Sequence, residues 1–330
     1  MAIERIVDTS DHEEDADEQI IEVTLRPQTF NDYTGQNRLK KNLQLAIDAA
    51  KKRGEPIDHV LLHGPPGLGK TSLAMLISKE LNSELHLVSG PGIERKGDLA
   101  AVLTNLKHGD VLFIDEIHRM HITVEELLYS AMEDFRLDIL IGQGASARTM
   151  QIDLAPFTLI GATTRSGLLS NPLRDRFMAH LNFDFYAPET LAVILENNAK
   201  KMHLNLIGEA KLEIARRSRG TPRIANRILR RVRDFSLVKG SKDVEMKEVN
   251  SALELLDIDK LGLDNMDRKI LSVMKNYYQG GPVGIEALSA TLGEDKQTIE
   301  EVYEPYLLKE GLILRTPRGR VLSELALKHI

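Results

Sequence analysis

Uninterrupted hydrophobic runs alternate with helical repeats over the first half of the chain. Val60-Leu61-Leu62 and Val111-Leu112-Phe113-Ile114 are apolar at every position, which is typical of strands buried on both faces of a parallel sheet. After the first run, Ser72–Leu81 is rich in helix-forming residues and is followed by Asn82 as a stop. The pattern predicts a large α/β domain with a parallel sheet over residues 23–186.

Helical spacing dominates the second half of the chain. Residues 187–257 predict a small helical domain, and residues 258–330 predict three helices followed by two short strands, the pattern of a winged helix. Asp98 is expected to be the N-cap of one helix and Asp267 to precede another. The acid-rich residues 1–22 predict a disordered arm, because like charges repel one another.

Composition places the chain among soluble globular proteins of two or three domains. It has 330 residues, of which 42% are hydrophobic and 28% charged. It contains no cysteine, which excludes disulfides and thiolate zinc sites and leads us to expect a cytoplasmic protein. No apolar run reaches about 18 residues, so no membrane span is expected. Because the net charge is −6, a DNA partner must meet a local basic patch or an assembly.

Gly64–Thr71 reads G-x-x-x-x-G-K-T, a phosphate-binding loop. The backbone of Gly67, Leu68 and Gly69 is expected to line a concavity that holds an anion. Lys70 would reach the terminal phosphates, and the Thr71 hydroxyl would bind Mg²⁺. The alternative is a glycine turn that binds nothing, but the strand before it and the helix after it favour the loop.

Two further strands end in polar residues. Asp115 and Glu116 follow the apolar run Val111–Ile114, and Asp115 can hold Mg²⁺ while Glu116 orients and deprotonates an attacking water. The alternative is a solvated turn, which the upstream loop disfavours. A buried strand from Phe157 ends in Thr163 and Thr164, whose hydroxyls can position water or sense the γ-phosphate.

Arginines recur at three places in the chain. Arg174 and Arg176 usually indicate a solvated turn, but in an oligomeric ATPase one of them can act as a finger on a neighbour's nucleotide. Arg223 begins a helix from which it can reach a nucleotide. A third group of arginines suits a wing that contacts DNA phosphates. The alternative is an unspecific basic turn. The members of this group are Arg315, Arg318 and Arg320. Because the domain is not basic as a whole, we expect weak, salt-sensitive binding with few base contacts.

A hairpin is predicted from Leu137 to Ile152, with small residues at its turn, Gly142–Ser146. Its apolar side chains are Ile139, Ile141, Met150 and Ile152. If part of this face is exposed, it indicates a partner-docking site; otherwise the hairpin packs on the core.

Taken in this order, the motifs resemble the RuvB family, the AAA+ motors of the bacterial Holliday-junction branch-migration complex. The resemblance extends over residues 25–330. It rests on Gly64–Thr71, Leu112–His118, Gly161–Gly167, Gly220–Asn226, Gly281–Gly284 and Arg315–Arg320.

The resemblance implies a fold and an activity. The fold is an AAA+ P-loop NTPase with a parallel sheet, followed by a small helical lid domain and a C-terminal winged-helix domain. The activity is ATP hydrolysis with Mg²⁺, which drives branch migration of Holliday junctions during recombination and repair. The resemblance also implies a hexameric ring on duplex DNA that works with RuvA and the RuvC resolvase. The competing hypothesis is a nucleotide-gated DNA-binding switch of the clamp-loader or regulatory kind, which does not translocate processively.

Roles for single residues follow from the same resemblance. Thr164 is the first sensor, Arg223 the second, and Arg176 the finger that acts in trans. The implied nucleotide contacts are Leu25, Arg26, Lys70, Thr71, Ser72, Glu133, Asp134, Phe135, Arg174, Tyr186 and Arg223. The hairpin matches the element that docks RuvA, and the three wing arginines match the DNA contact. One departure is Met178, where the family usually has glycine after Arg-Phe, and a positive φ would be uncomfortable for methionine there.

Overall fold

The structure is a computed structural model that describes residues 24–141, 148–240 and 242–330. The acidic arm predicted at residues 1–22 and the predicted hairpin turn Gly142–Ser146 lie outside the described residues. The chain divides into two compact units. One comprises the chain up to Gly64 with Gly69–Asp184, and the other comprises Pro65–Leu68 with Phe185–Ile330.

The described part of the first unit alternates strands with helices. In chain order these are α1 (Asn37–Arg53), β1 (Val60–His63), α2 (Lys70–Leu81), β2 (Leu85–Ser89), α3 (Lys96–Thr104), β3 (Val111–Asp115), α4 (Ile122–Glu133), β4 (Arg136–Ile141), β5 (Arg148–Asp153), β6 (Thr158–Thr163), α5 (Asn171–Asp175) and β7 (Ala179–Asn182). Short 3₁₀ turns at Gly90–Gly92, Ile117–Arg119 and Ser166–Leu168 follow three of the strands.

A parallel sheet forms the centre of the first unit, with strand order β2-β3-β6-β1-β7. Every residue of β6 is buried, as are the first four residues of β3. Because parallel strands end at one edge, the residues that follow β1, β3 and β6 lie at a common edge of the sheet. The predicted α/β domain with a parallel sheet is confirmed.

The predicted hairpin is a separate two-stranded antiparallel sheet of β4 and β5, in which Ile139 pairs with Met150 and Leu137 with Ile152. Ile139 and Ile152 are partly buried and pack against the core beside the fully buried Leu137. Met150 is 45% exposed. The side chain of Ile141 lies outside the described residues. The described part of the hairpin therefore packs on the core, with Met150 open to solvent.

The second unit holds the lid and winged-helix segments. Its described elements are α6 (Pro188–Lys201), β8 (Asn205–Leu206), α7 (Ala210–Arg216), α8 (Pro222–Val238), β9 (Asp243–Val244), α9 (Met246–Leu255), α10 (Asn265–Tyr278), α11 (Ile285–Leu292), α12 (Lys296–Thr298), α13 (Glu304–Lys309), β10 (Ile313–Thr316), β11 (Gly319–Leu322) and α14 (Glu324–His329). A π-helical segment, Ile299–Tyr303, joins α12 to α13. The winged helix has its own hydrophobic core, which includes Leu271, Leu288 and Leu307, and its wing is the antiparallel pair β10–β11.

Two helix starts differ from the sequence prediction. The helix α3 begins at Lys96 with Arg95 as N-cap, and Asp98 lies inside its first turn, where its carboxylate accepts the Arg95 N–H at 2.8 Å. Asp267 is likewise the third residue of α10, whose N-cap is Asp264. Both predictions are wrong for the same reason: a carboxylate in the first turn can reach back to the cap residue's N–H and does not need to be the cap itself.

Two other expectations concern the whole described chain. Met178 does not have a positive φ, so the methionine that replaces the usual glycine is accommodated by the backbone, with its side chain 76% exposed. Among the described residues, no helix combines the length and apolar character that crossing a bilayer requires.

Candidate functional site

The lysine of the phosphate loop is held at the end of β1. Lys70 is buried, and its Nζ donates to the carbonyl oxygen of Gly64 at 2.7 Å. The Gly64 N–H in turn donates to Thr163 O at 3.2 Å, which ties the loop to β6. Thr71 and Ser72 follow in the first turn of α2 and are half-buried. Burial, reinforced by the charges of His180 and Lys70, lowers the pKa of His63, although Asp184 opposes the shift.

Residues 65–68 of the loop contact other parts of the second unit. Gly67 has φ 77°, and a Cβ on it would lie 2.8 Å from Thr221 Cγ2 and 3.0 Å from Arg223 Cβ. The Arg223 N–H donates to Gly67 O at 3.4 Å, and the Tyr186 hydroxyl donates to Leu68 O at 3.3 Å. Tyr186 is buried and Arg223 is exposed. These two residues therefore touch the phosphate loop through its backbone.

The carboxylates Asp115 and Glu116 are at the carboxyl end of β3, where the sequence places them. Both are half-buried, and Asp115 Oδ1 accepts the Glu116 N–H at 2.9 Å. Glu116 has a left-handed backbone, with φ 48° and ψ 40°, a conformation that costs on the order of 1 kcal/mol for a residue with a side chain. The chain therefore turns sharply at Glu116, directly after β3.

Two residues around Glu116 were missed from the sequence. The Arg119 guanidinium lies 2.8 Å from Glu116 Oε2, and the spacing of three positions within a helical turn could have indicated this pair. A Cβ on Gly90 would lie 2.5 Å from the carbonyl oxygen of Glu116, so only glycine allows the backbones to approach so closely. The Gly-Pro-Gly run after β2 was the available signal.

The two hydroxyls at the end of β6 have different environments. Thr163 is buried; its Oγ1 is 3.0 Å from His118 Nδ1 and accepts the Arg165 N–H at 2.9 Å. Thr164 follows the strand and is half-buried. The described hydrogen bonds of Thr163 hold the end of β6 to His118 and Arg165. His118, which follows β3, thus contacts Thr163 at the end of the neighbouring strand β6.

The two predicted finger arginines lie at the end of α5. Arg176 Nη2 is 3.0 Å from Glu133 Oε2, and its Nη1 donates to Pro172 O at 2.7 Å. Arg174 Nη2 donates to Asn171 Oδ1 at 3.0 Å. Glu133, which the resemblance assigns to nucleotide, is thus an ion-pair partner of Arg176 within the chain.

The remaining predicted nucleotide contacts are dispersed through the first unit. Asp134 is exposed after α4, and Phe135 follows it with φ 50°. Leu25 is buried, and Arg26 Nη1 donates to Met75 Sδ at 3.3 Å. Arg26 is therefore placed against α2, the helix that begins at the phosphate loop.

The three wing arginines do not share one environment. Arg320 is buried, and its guanidinium bonds Glu304 at 2.9–3.0 Å and Glu300 at 2.9 Å. Arg315 also contacts Glu304, at 2.9 Å. Arg318 is exposed at the tip and makes no ion pair with any residue that the structure describes. Only Arg318 thus presents an uncompensated charge to solvent.

The donor set fits a nucleotide with its metal ion. A loop of backbone N–H groups with a lysine suits a polyphosphate, and a threonine hydroxyl with an aspartate carboxylate offers the oxygen ligands that Mg²⁺ prefers. The loop requires glycine at position 67, because a Cβ there would clash with Thr221. The chemistry of these residues therefore supports nucleoside-triphosphate binding.

Three family models match successive parts of the chain. Residues 25–183 match the Holliday junction DNA helicase RuvB P-loop domain. Residues 186–259 match the RuvB AAA lid domain, and residues 260–330 match the RuvB C-terminal winged helix domain.

Solved structures of Thermotoga maritima RuvB are similar over nearly the whole chain. One is described as the RuvB Holliday junction branch migration motor; it is 52% identical, with a TM-score of 0.87 over 93% of this chain and 98% of that one. An arginine-to-alanine mutant of the same protein is 52% identical, with a TM-score of 0.86 over 92% of this chain and 97% of that one.

Proposed function

The chain belongs to the RuvB family of ATP-dependent Holliday-junction branch-migration motors, and on that premise we propose how its residues divide the work. It is an ATPase that acts on DNA in a complex with RuvA. We further propose that it works as a hexameric ring on duplex DNA, uses Mg²⁺ with ATP, and operates together with the RuvC resolvase. The observation that supports this proposal is that Gly64, the carboxylates Asp115 and Glu116, and Thr164 stand at the carboxyl ends of β1, β3 and β6, which are neighbours in the sheet.

Binding of the triphosphate falls to the loop and to α2. Gly67, Leu68 and Gly69 present backbone N–H groups, and Lys70 places its ammonium against the terminal phosphates. Thr71 and Asp115 would hold Mg²⁺, which neutralises phosphate charge when bound. Ser72 adds a hydroxyl in the same helical turn.

Hydrolysis uses groups at the neighbouring strand ends. Glu116 takes a proton from the attacking water. For this, its carboxylate must leave Arg119, and the exchange is easy because both side chains are partly exposed and such pairs are weak. Thr164 orients the water or the γ-phosphate. Arg176 of an adjacent subunit neutralises the charge that develops in the transition state.

The second unit couples the nucleotide to DNA. Arg223 and Tyr186 contact residues 67 and 68 of the loop, which belong to the same unit as the winged helix, and these contacts support the coupling. Arg318 at the wing tip is positioned for phosphate oxygens of the duplex. The β4–β5 hairpin, with Met150 exposed, is the proposed docking element for RuvA, and Ile139 and Ile152 fix it to the core.

The test is Glu116→Gln, which keeps the size and hydrogen bonding of the side chain but removes the base. We expect ATP affinity to remain and turnover to fall by about 10²–10⁴-fold. Fluorescent-nucleotide binding and phosphate release measure the two quantities, and migration of a synthetic four-way junction with RuvA follows the motor. Glu126→Gln, at a side chain that is 54% exposed, is the matched control. Turnover near the wild-type rate in Glu116→Gln would show that another group is the base.

A further inference from the structure

One face of α4 carries three polar side chains that meet α5. Glu125, Tyr129 and Glu133 are spaced by four positions, so they lie along the same side of the helix. Arg176 follows α5 directly as its C-cap residue. The side chains of α4 thus form the surface on which Arg176 lies.

Arg176 rests on the ring of Tyr129. Its Cζ is 4.7 Å from the ring centroid, within the range in which a guanidinium is attracted to an aromatic face. The Nε atom is buried and makes no hydrogen bond to any residue in the described part of the chain. The ring face thus contacts the guanidinium in addition to its bonds to Glu133 and Pro172.

Tyr129 is itself fixed to the helix that precedes Arg176. Its hydroxyl is 3.0 Å from Ser170 Oγ and donates to Glu125 Oε1 at 3.1 Å. Ser170 also bonds the buried Glu125 carboxylate and accepts the Leu173 N–H at 3.2 Å as the N-cap of α5. The Tyr129 ring is therefore tied through its hydroxyl to the residue that caps α5.

The contacts of Arg176 differ in how easily they can be exchanged. Glu133 has a side chain that is 58% exposed, and solvent weakens such an ion pair. The ring face lies against Arg176, whose side chain is only 21% exposed, and less water competes there. Phosphate oxygens can replace the Glu133 carboxylate while the ring contact is kept. Phe177, which is 2% exposed, anchors the backbone next to Arg176.

We propose that Tyr129 is a positioning residue for the Arg176 finger: its ring supports the guanidinium, and its hydroxyl ties the ring to the cap of α5. Glu133 is the resting partner that the neighbour's nucleotide displaces. This inference rests on the proposed function, in which Arg176 acts on the nucleotide of an adjacent subunit.

The experiment uses mixed assemblies of full-length subunits on duplex DNA. An acceptor subunit carries Arg176→Ala, which leaves its own nucleotide site intact but removes its finger. A donor subunit carries Glu116→Gln, which stops its own turnover but keeps its finger. Mixing the two is expected to restore ATP turnover, because the donor supplies Arg176 to the acceptor's site.

Tyr129→Leu is then added to one subunit at a time. On the donor, we expect the restored turnover to fall by about 10-fold or more, since a misplaced catalytic group costs on the order of 10–100-fold. On the acceptor, we expect no loss. Tyr129→Phe on the donor keeps the ring and should retain more turnover than Tyr129→Leu. Tyr277→Leu on the donor, at a tyrosine that is 73% exposed, is the matched control.

The subunit on which Tyr129→Leu lowers ATP turnover distinguishes a positioning role from a folding defect. A general folding defect would reduce turnover from either subunit, and equal losses from both would overturn the inference, as would no loss from the donor. Failure of the unmodified pair to restore turnover would instead overturn the trans-acting finger on which the inference depends.

Discussion

At the scale of single residues, His59 shows how a buried side chain joins three elements. Its Nδ1 accepts the Leu159 N–H at 2.9 Å, and its Nε2 lies 3.1 Å from Met132 O. This arrangement requires a neutral ring with the proton on Nε2. Burial lowers the pKa of His59 below its usual 6.5, against the opposing effects of Met132 O and Asp58.

This shift predicts how acid affects stability. Because the folded-state pKa is lower than the unfolded one, the stabilisation is complete above about pH 6.5 and declines as the pH falls from there. The decline is at most about 1.4 kcal/mol per pH unit. Urea unfolding of the wild type and His59→Gln between pH 7.5 and 5 should show a stability difference that narrows with acid. A constant difference over that range would contradict the assignment.

The residues of the site that the sequence revealed are those fixed by local motifs. Lys70 and Asp115 are recognisable because the loop and the strand end dictate them. The partners of Arg176 were not recognisable as such, because Tyr129 and Glu133 are more than 40 positions away and meet it only when α4 packs on α5. Such contacts depend on how the helices pack in the folded protein, so the spacing of residues in the sequence does not indicate them.

At the scale of elements, the arginines of the wing have different environments: Arg315 and Arg320 bond Glu304, whereas Arg318 is exposed and is the proposed DNA contact. Burial alone would raise the pKa of Glu304, but hydrogen bonds from Arg320 and Arg315 outweigh it and lower the pKa. Glu304 is therefore ionised beneath β10 and β11 at neutral pH and depends on Arg320 for compensation. The three arginines look alike in the sequence, because Glu304, the carboxylate that pairs with two of them, lies outside the wing on α13.

The wing therefore predicts two different mutant phenotypes. Arg318→Ala should weaken duplex binding and reduce the slope of log affinity against log salt by about 1, with stability unchanged. Arg320→Ala leaves Glu304 buried without its main partner and should destabilise the winged helix by about 3–5 kcal/mol. Salt titrations of DNA binding and urea unfolding measure the two effects. If Arg320→Ala resembled Arg318→Ala in both assays, the structural role of Arg320 would be wrong.

Helix starts show what an element's sequence does and does not determine. The periodic apolar positions located α3 and α10, since they decide which face is buried. Their first residues were misplaced because Asp98 and Asp267 have the residue type of a cap but reach the cap N–H from inside the turn. Only backbone geometry distinguishes these two uses of a carboxylate.

At the scale of the whole molecule, the second unit connects the phosphate loop to the DNA-binding domain through a short segment. Arg219 is 6% exposed and donates to Gly262 O at 3.0 Å. It pairs with Asp264 at 2.8 Å and with the fully buried Asp267 of α10. Four residues later, Arg223 bonds Gly67 O. In the sequence, Arg219 was one of several arginines in a basic run, and its burial could not be read from it.

The buried pair predicts strong coupling between Arg219 and Asp267. Arg219→Met leaves the Asp267 carboxylate in the interior without a counter-charge and should destabilise the second unit by about 3–5 kcal/mol. Adding Asp267→Asn removes that charge and should recover part of the loss, so the two substitutions are not additive. Arg231→Met, at an arginine that is 57% exposed, should change stability by less than about 0.5 kcal/mol. Urea unfolding of the wild type, Arg219→Met, Asp267→Asn and the double variant measures the cycle, and additive effects would mean that the pair does not hold α10 to the lid.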